Sequence, residues 1–269
     1  IWIQPGTRRR VELAFVGNQF GFYETGTKNI VPINKCMAVT PSFQNALNDI
    51  VKLPWHGSGA VLVTECDNGI DIGVTSGVPY FNTEFKNAVD KNSAIRVTWN
   101  DKVIKQTAQP VISFGDHTVD YPPNVFLQPS VAGETALRDL VVGYAGDASH
   151  VADLFAGLGS FTHALKADGY DIVGARHKRD LFKKPLTVQN LKKYDCVVMD
   201  PPRAGAMAQS TELAGSSVPR VIYVSCNPDT FMRDKAILER GGYKMTELTP
   251  VDQFVGSNHW ELVGLFQKL

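Results

Sequence analysis

Three short runs of this chain carry the residue types that chemistry needs. Val221 to Pro228 reads Val-Ile-Tyr-Val-Ser-Cys-Asn-Pro, four β-favouring residues running into a thiol and then into Asn-Pro, a pair that stops a strand. Cys226 therefore stands at the mouth of a buried strand, where a thiolate can meet a substrate. Asp200-Pro201-Pro202 closes an earlier apolar strand, Asp195 to Met199, and holds an acid at its end. Asp153-Leu154-Phe155-Ala156-Gly157-Leu158-Gly159-Ser160 closes a still earlier strand, turns on two glycines and enters a helix, which lets backbone amides approach a ligand closely. Three strands ending in reactive or ligand-binding residues imply the carboxyl edge of an open α/β sheet, where such folds bind their ligands.

The elements that must position these runs follow from periodicity. From Ala132 onward, strands alternate with helices. A helix is predicted over Gly133 to Tyr144, a strand over His150 to Phe155, a helix over Ser160 to Asp168, strands over Asp171 to Gly174 and Asp195 to Met199, and a short helix or loop around Thr211 to Gly215. The strand Val221 to Ser225, a helix from Asp229 to Arg240 capped by Asp229, and a final strand Leu262 to Gln267 complete a doubly wound parallel sheet. Ahead of it lies an α+β domain over residues 1–125. There a strand Arg8 to Phe15 pairs across a hairpin with Gln19 to Tyr23, and a helix Pro41 to Leu53 opens on Ser42. Short strands are expected at Ala60 to Thr64, Ile70 to Val74, Ile95 to Trp99 and Thr118 to Tyr121, with a helix near Glu84 to Val89. Arg8, Arg9 and Arg10 suit phosphate contacts, and Phe20, Phe22 and Tyr23 suit base stacking; a solvated edge strand is the competing reading.

The glycine turn alone is unspecific. It serves a dinucleotide, S-adenosylmethionine or merely a tight turn, and the dinucleotide pattern G-x-G-x-x-G stops short. Asp200-Pro201-Pro202 shifts the balance towards a methyltransferase. With Phe126-Leu127-Gln128, Asp200-Pro201-Pro202-Arg203-Ala204-Gly205-Ala206, Ser225-Cys226-Asn227-Pro228 and His259-Trp260-Glu261 in this order, the chain resembles the S-adenosylmethionine-dependent RNA uracil-5-methyltransferases.

That resemblance implies a Rossmann-like class I methyltransferase domain over residues 126–269, behind an RNA-facing α+β domain. It makes Cys226 the nucleophile and Glu261 the base, and gives the methyl donor's pocket to Gln128, Phe155, Gly157, Gly159, Ser160, Asp180 and Asp200. Arg203 is read as an RNA contact or as half of a structural ion pair, and Cys196, inside an apolar strand, as core. Ribosomal RNA is expected ahead of transfer RNA. Two departures follow. Gly174 runs into Ala175-Arg176-His177-Lys178-Arg179-Asp180 with no acid at the strand end and no room for a helix: a true deletion here would impair donor binding, whereas a segment omitted from the chain, the preferred reading, predicts a cofactor-free structure with a break in the chain path between Gly174 and about Arg176. Relatives also carry an iron–sulfur cluster on four cysteines, of which only Cys36 has a counterpart here, so a 4Fe-4S cluster is expected only with cysteines upstream of this chain.

Composition sets the outer limits. The 27 basic and 27 acidic residues balance, so any polyanion must be gripped by local clusters rather than by a whole-molecule field. Four dispersed cysteines argue against a disulfide framework. No apolar run is long enough to span a bilayer and no signal peptide opens the chain, so a cytoplasmic, monomeric protein is expected. Ile1 in place of Met suggests a preceding segment. The competing readings are a methyltransferase for another acceptor, such as cytosine or a small molecule, and a non-catalytic RNA-binding protein with a decayed donor pocket.

Overall fold

A computed structural model describes residues 1–254, 257 and 259–269. The chain divides into two compact units, Gln4–Val131 and a second made of Ile1–Ile3 with Ala132–Leu269. The division falls after Val131, where the sequence reading sets it after residue 125.

The first unit is built from β1 (Arg10–Val16), β2 (Gln19–Tyr23), β3 (Ile30–Pro32), α1 (Pro41–Ile50), β4 (Ser58–Cys66), β5 (Gly69–Ser76), α2 (Thr83–Lys91), β6 (Arg96–Trp99), β7 (Lys102–Gln106), β8 (Val111–Phe114) and β9 (His117–Asp120). Seven of its strands form one sheet, ordered β3-β2-β1-β4-β5-β6-β7. Alternate residues such as Leu13, Phe15, Val61, Val63, Ile72 and Val74 join Phe43, Leu47 and Ile50 of α1 in a single core, the two-residue strand period meeting the helical period. Burial of each such side chain stabilises by about 1.5–3 kcal/mol. Thr40, not Ser42, caps α1 by accepting from the Phe43 amide, because Pro41 takes the first helical position and needs no donor partner.

The basic and aromatic run of this unit turns inward. Phe20 is buried and stacks on Trp55 at 4.9 Å, so it belongs to the core; Phe22 and Tyr23 stay exposed. Arg9 is buried with its Nε donating to the Gln128 carbonyl at 3.3 Å, and Arg10 donates to the Leu127 carbonyl at 3.3 Å while lying over the Phe126 ring. Arg96 and Asp71, both buried, pair at 2.7 Å, and Arg96 also donates to the Tyr121 carbonyl. Asp71→Ala leaves that guanidinium buried beside no carboxylate, and should lower the unfolding free energy of the protein by about 3 kcal/mol in urea titration.

The second unit contains α3 (Val131–Ala145), β10 (Val151–Leu154), α4 (Ser160–Leu165), β11 (Asp168–Asp171), β12 (His177–Lys178), α5 (Val188–Leu191), β13 (Cys196–Met199), α6 (Met207–Ala214), β14 (Arg220–Ser225), α7 (Pro228–Arg240), β15 (Tyr243–Val251) and β16 (Glu261–Lys268). Its sheet runs β12-β11-β10-β13-β14-β16-β15, parallel through β14 and antiparallel for β16 and β15. Both faces are covered. Val197, Met199, Val221 and Tyr223 enter one core with Phe231 and Leu238 of α7, while their neighbours Cys196, Val198, Ile222 and Val224 enter another with Leu137 and Val141 of α3. Cys196 is thus core.

Residues 172–176 alone join β11 to β12, although the two strands are parallel and a parallel crossover normally takes a dozen residues or more. β11 also lies earlier than the strand predicted at Asp171 to Gly174. The Tyr170 carbonyl accepts both the Phe155 and Ala156 amides, which anchors the strand at Tyr170 and leaves Ile172 and Val173 exposed beyond its end.

Candidate active site at the carboxyl edge of the second unit

Neighbouring strands deliver one functional group each to the same edge of this sheet. β11 ends at Asp171, β10 runs into the glycine turn, β13 ends before Asp200, and β14 ends at Ser225 before Cys226. β16 is antiparallel, so its first residue, Glu261, reaches that same edge. Ser225 pairs with Leu262 at the end of the ladder, and Cys226 and Glu261 are the next residues on the two sides.

At the turn, Gly157 and Gly159 take φ of 53° and 90°, values that side chains disfavour, and a Cβ at Gly157 would meet nothing within 4 Å. The loop 172–174 lies against this turn, with Gly174 packed on the Gly157 carbonyl. Phe155 is itself left-handed at φ 62°, a strained backbone of the kind stored at functional sites, and its ring lies 5.3 Å from that of Phe182. Ser160 opens α4 and donates to Glu134 at 3.3 Å. Asp153 is fully buried, its Oδ2 accepting from Thr162 Oγ1 at 2.5 Å while its Oδ1 has no partner among the described residues. Burial pushes its carboxyl up to about 7 against the pull of the Thr162 hydrogen bonds.

These features fit the methyl donor. An open backbone cradle and a buried carboxylate oxygen without a partner suit a ligand that carries an ammonium group. Asp171 supplies the strand-end acid that the sequence reading did not find: its Oδ2 accepts the Gly157 amide at 2.8 Å and its Oδ1 the Ile172 amide. Asp180 serves as a local cap, accepting the Phe182 and Lys183 amides. Gln128 belongs to the first unit, where its carbonyl accepts Arg9.

Around the thiol the charges are mostly negative. Cys226 is half-buried, and desolvation, then Glu261 and Asp200, push it up to about 11; Arg203 pulls the other way. Glu261 is buried, accepts Gln253 at 3.4 Å through one oxygen and leaves the other without a partner among the described residues, and burial pushes it up to about 7. Desolvation followed by the charges of Glu261 and Asp153 pushes Asp200 well above the carboxylate range. The loop Arg203–Ala206 hangs on α7. Asn227, the residue after the thiol, caps α7 in place of Asp229 and also donates to the Arg203 carbonyl at 2.9 Å.

Cys36 belongs to the first unit, its amide donating to Gln44. Among the described residues no group of three or more His, Cys, Asp or Glu could hold a metal ion, so the residues present do not fit an iron–sulfur cluster. Among them, too, no helix is long and apolar enough to cross a membrane.

A mixed sheet, parallel from β12 to β14 and covered on both faces, with a glycine turn and acids at its carboxyl edge, is that of a Rossmann-like methyltransferase domain. Comparison with known proteins narrows this. A family model described as tRNA (Uracil-5-)-methyltransferase matches residues 169–269. An uncharacterized RNA methyltransferase of Rhizobium meliloti (strain 1021) is 35% identical over 303 residues, covering 98% of this chain and 72% of the relative. That aligned stretch is longer than the 269-residue chain, so the relative carries segments absent here, in keeping with the short β11–β12 link. The 23S rRNA (uracil(1939)-C(5))-methyltransferase of Vibrio vulnificus (strain YJ016) is 23% identical, covering 99% of this chain and 70% of that protein. In fold, the tRNA (uracil-54, C5)-methyltransferase of Pyrococcus abyssi, solved with S-adenosyl-L-homocysteine, superposes with a TM-score of 0.73 at 19% identity, over 97% of this chain and 76% of that one. The chain belongs to the S-adenosylmethionine-dependent RNA uracil-5-methyltransferase family.

Proposed function

We propose that this protein methylates C5 of a uridine in ribosomal RNA through a covalent adduct between Cys226 and C6, with Glu261 as the base. The observation that supports the reading is the β14–β16 pairing, which ends with Ser225 opposite Leu262, so that Cys226 and Glu261 follow at the same sheet edge, where Glu261 acts on the thiol. Two groups are needed because uracil C5 is too weak a nucleophile to attack a sulfonium unaided.

The Cys226 thiolate forms a bond to C6, and the displaced π pair makes C5 enolate-like. When bound, S-adenosylmethionine would supply an electrophilic methyl group, to which the C5 pair bonds as the S–CH3 bond breaks and its electrons stay on the sulfur. Glu261 then takes the C5 proton, the C5–C6 double bond re-forms, and the C6–S bond breaks to return the thiolate. Asp153, Asp171, Phe155, Gly157, Gly159, Ser160 and Asp200 are the residues at this edge that would hold the donor. Enzymes that act on a base take it out of its stack, so the uridine has to be presented unstacked to Cys226. Arg203, exposed beside the thiol, is the cation at this edge that can meet a phosphate; Arg9 instead braces its own unit. One chain supplies all of these groups, which supports action as a monomer. The ribosomal assignment is supported by the Vibrio relative, whose name specifies 23S rRNA.

Release of tritium from RNA labelled at uridine C5 tests the reading. Donor-dependent release from ribosomal transcripts, absent with transfer RNA, is expected. Release from transfer RNA alone moves the substrate class, and methyl incorporation without tritium release removes C5 of uracil as the acceptor.

A further inference from the structure

Asp234 stands outside the catalytic scheme and yet is among the most buried charges of the second unit. It lies on α7, is fully buried, and one oxygen accepts both the Ala206 amide at 2.7 Å and the Tyr223 hydroxyl at 2.7 Å. Its other oxygen accepts Arg233 Nε at 2.8 Å. Arg233 in turn donates to the Ala204 carbonyl at 3.0 Å, while Asn227 and Thr230 both donate to the Arg203 carbonyl, at 2.9 and 3.2 Å. Between these anchors Gly205 takes φ 73°, and a Cβ there would come within 2.6 Å of Arg233 and 2.7 Å of Asp234. The loop that follows Asp200 is therefore stitched residue by residue to the helix whose first turn follows the thiol. Burying a carboxylate costs free energy unless its partners are well placed, and here each partner belongs to this loop, to β14 or to α7 itself.

We infer that Asp234 is a positioning residue, which locks the loop Arg203–Ala206 onto α7 and so holds the Arg203 guanidinium beside Cys226. Arg203 is exposed and its side chain makes no hydrogen bond or ion pair among the described residues, so its backbone sets the region its guanidinium reaches, from which its charge acts on the thiol. The backbone is set by the clamp. Tyr223 makes the clamp common to β14 and α7, the two elements on either side of Cys226. This inference takes Cys226 as the nucleophile from the reading above, but the clamp can be measured without RNA or donor.

The test is the rate at which iodoacetamide alkylates Cys226 in the full chain, followed by mass spectrometry of its tryptic peptide between pH 7 and 10. Loosening the clamp removes a cation from beside the thiol and disfavours the thiolate. Asp234→Asn should slow alkylation at pH 8 by about threefold or more, the change that about half a pK unit produces. Arg203→Gln should slow it comparably. The double variant should be no slower than the slower single, because both act through one interaction. Gly205→Ala should act in the same direction, by pushing Arg233 and Asp234 off the loop. If Asp234→Asn does not fold, Tyr223→Phe and Arg233→Met, each deleting part of the same clamp, carry the same expectation. A pH profile of the folded clamp variants that overlays the parent, or effects of Asp234→Asn and Arg203→Gln that multiply, would overturn the inference. Failure of tritium release with the clamp effects intact would count against the uracil reading alone.

Discussion

Glu261→Gln is expected to stall the protein on its substrate: methyl transfer occurs once, turnover falls by about 10²–10⁴-fold, and a covalent protein–RNA species accumulates with ordinary uridine. The amide keeps the shape of the side chain and its contact with Gln253 but cannot take a proton. After methylation the C5 proton then stays in place, and the C6–S bond cannot be expelled. Electrophoresis under denaturing conditions, followed by nuclease digestion and intact mass, distinguishes a methylated adduct from a free enzyme. The same substitution should stabilise the fold at pH 8. Glu261 is buried, one of its oxygens has no partner among the described residues, and burial raises its carboxyl to about 7. A carboxyl raised in the folded state contributes stability that is complete below its unfolded pKa and is lost as pH rises through the folded value. Between about pH 4.5 and 7 the parent therefore gives up stability, on the order of 3 kcal/mol at most, and the Gln variant should not lose this share. Melting temperatures of the two proteins at pH 5 and pH 8 read the difference directly. A variant that is inactive, forms no adduct and gains no stability at pH 8 would remove Glu261 from the role of base.

Cys226→Ala should abolish turnover by about 10³-fold or more, because without addition at C6 the C5 carbon has no reason to attack. Donor affinity should be unchanged, since the glycine turn, Asp153 and Asp171 lie on other strands. The parent's pH profile follows from the same groups. Burial together with Glu261 and Asp200 holds the thiol up to about 11, so the thiolate is scarce at neutral pH and grows about tenfold per unit below that value. Glu261 must be ionised to act and is so above about 7. Single-turnover methylation should rise from pH 6 to pH 9 with the thiolate, whereas Glu261 acts only on the release that follows; a flat or falling profile would show that the thiol does not limit methylation.

The parts of this site that were legible in the sequence are those where chemistry and strand termination coincide. Cys226 before Asn227-Pro228, Asp200 before two prolines and the turn at Gly157 and Gly159 each combine a reactive type with a residue that must end a strand, and the structure places all three at one edge. Asp171 was hidden because Ile172 and Val173 read as the interior of a strand. They lie instead beyond its end, where Asp171 and the Tyr170 carbonyl fasten β11 to the glycine turn. β15 escaped for a related reason: it is an edge strand, mostly exposed, with Pro250 in it, and edge strands tolerate what central ones do not. The arginine run pointed outward on charge alone, whereas the carbonyls of Leu127 and Gln128 draw Arg10 and Arg9 against their own unit. Asp234 carried no signal at all. A lone acid in an amphipathic helix reads as solvent-facing until the loop it holds is seen.

The central claim, a covalent Cys226–C6 intermediate on uridine, is tested most directly with ribosomal RNA carrying 5-fluorouridine, incubated with the protein and S-adenosylmethionine and resolved under denaturing conditions. Fluorine cannot leave as a proton, so the account predicts a stable protein–RNA band in the parent protein and none in Cys226→Ala. A band that survives in Cys226→Ala, or its absence from the parent with ribosomal and transfer RNA alike while the donor binds, would contradict it.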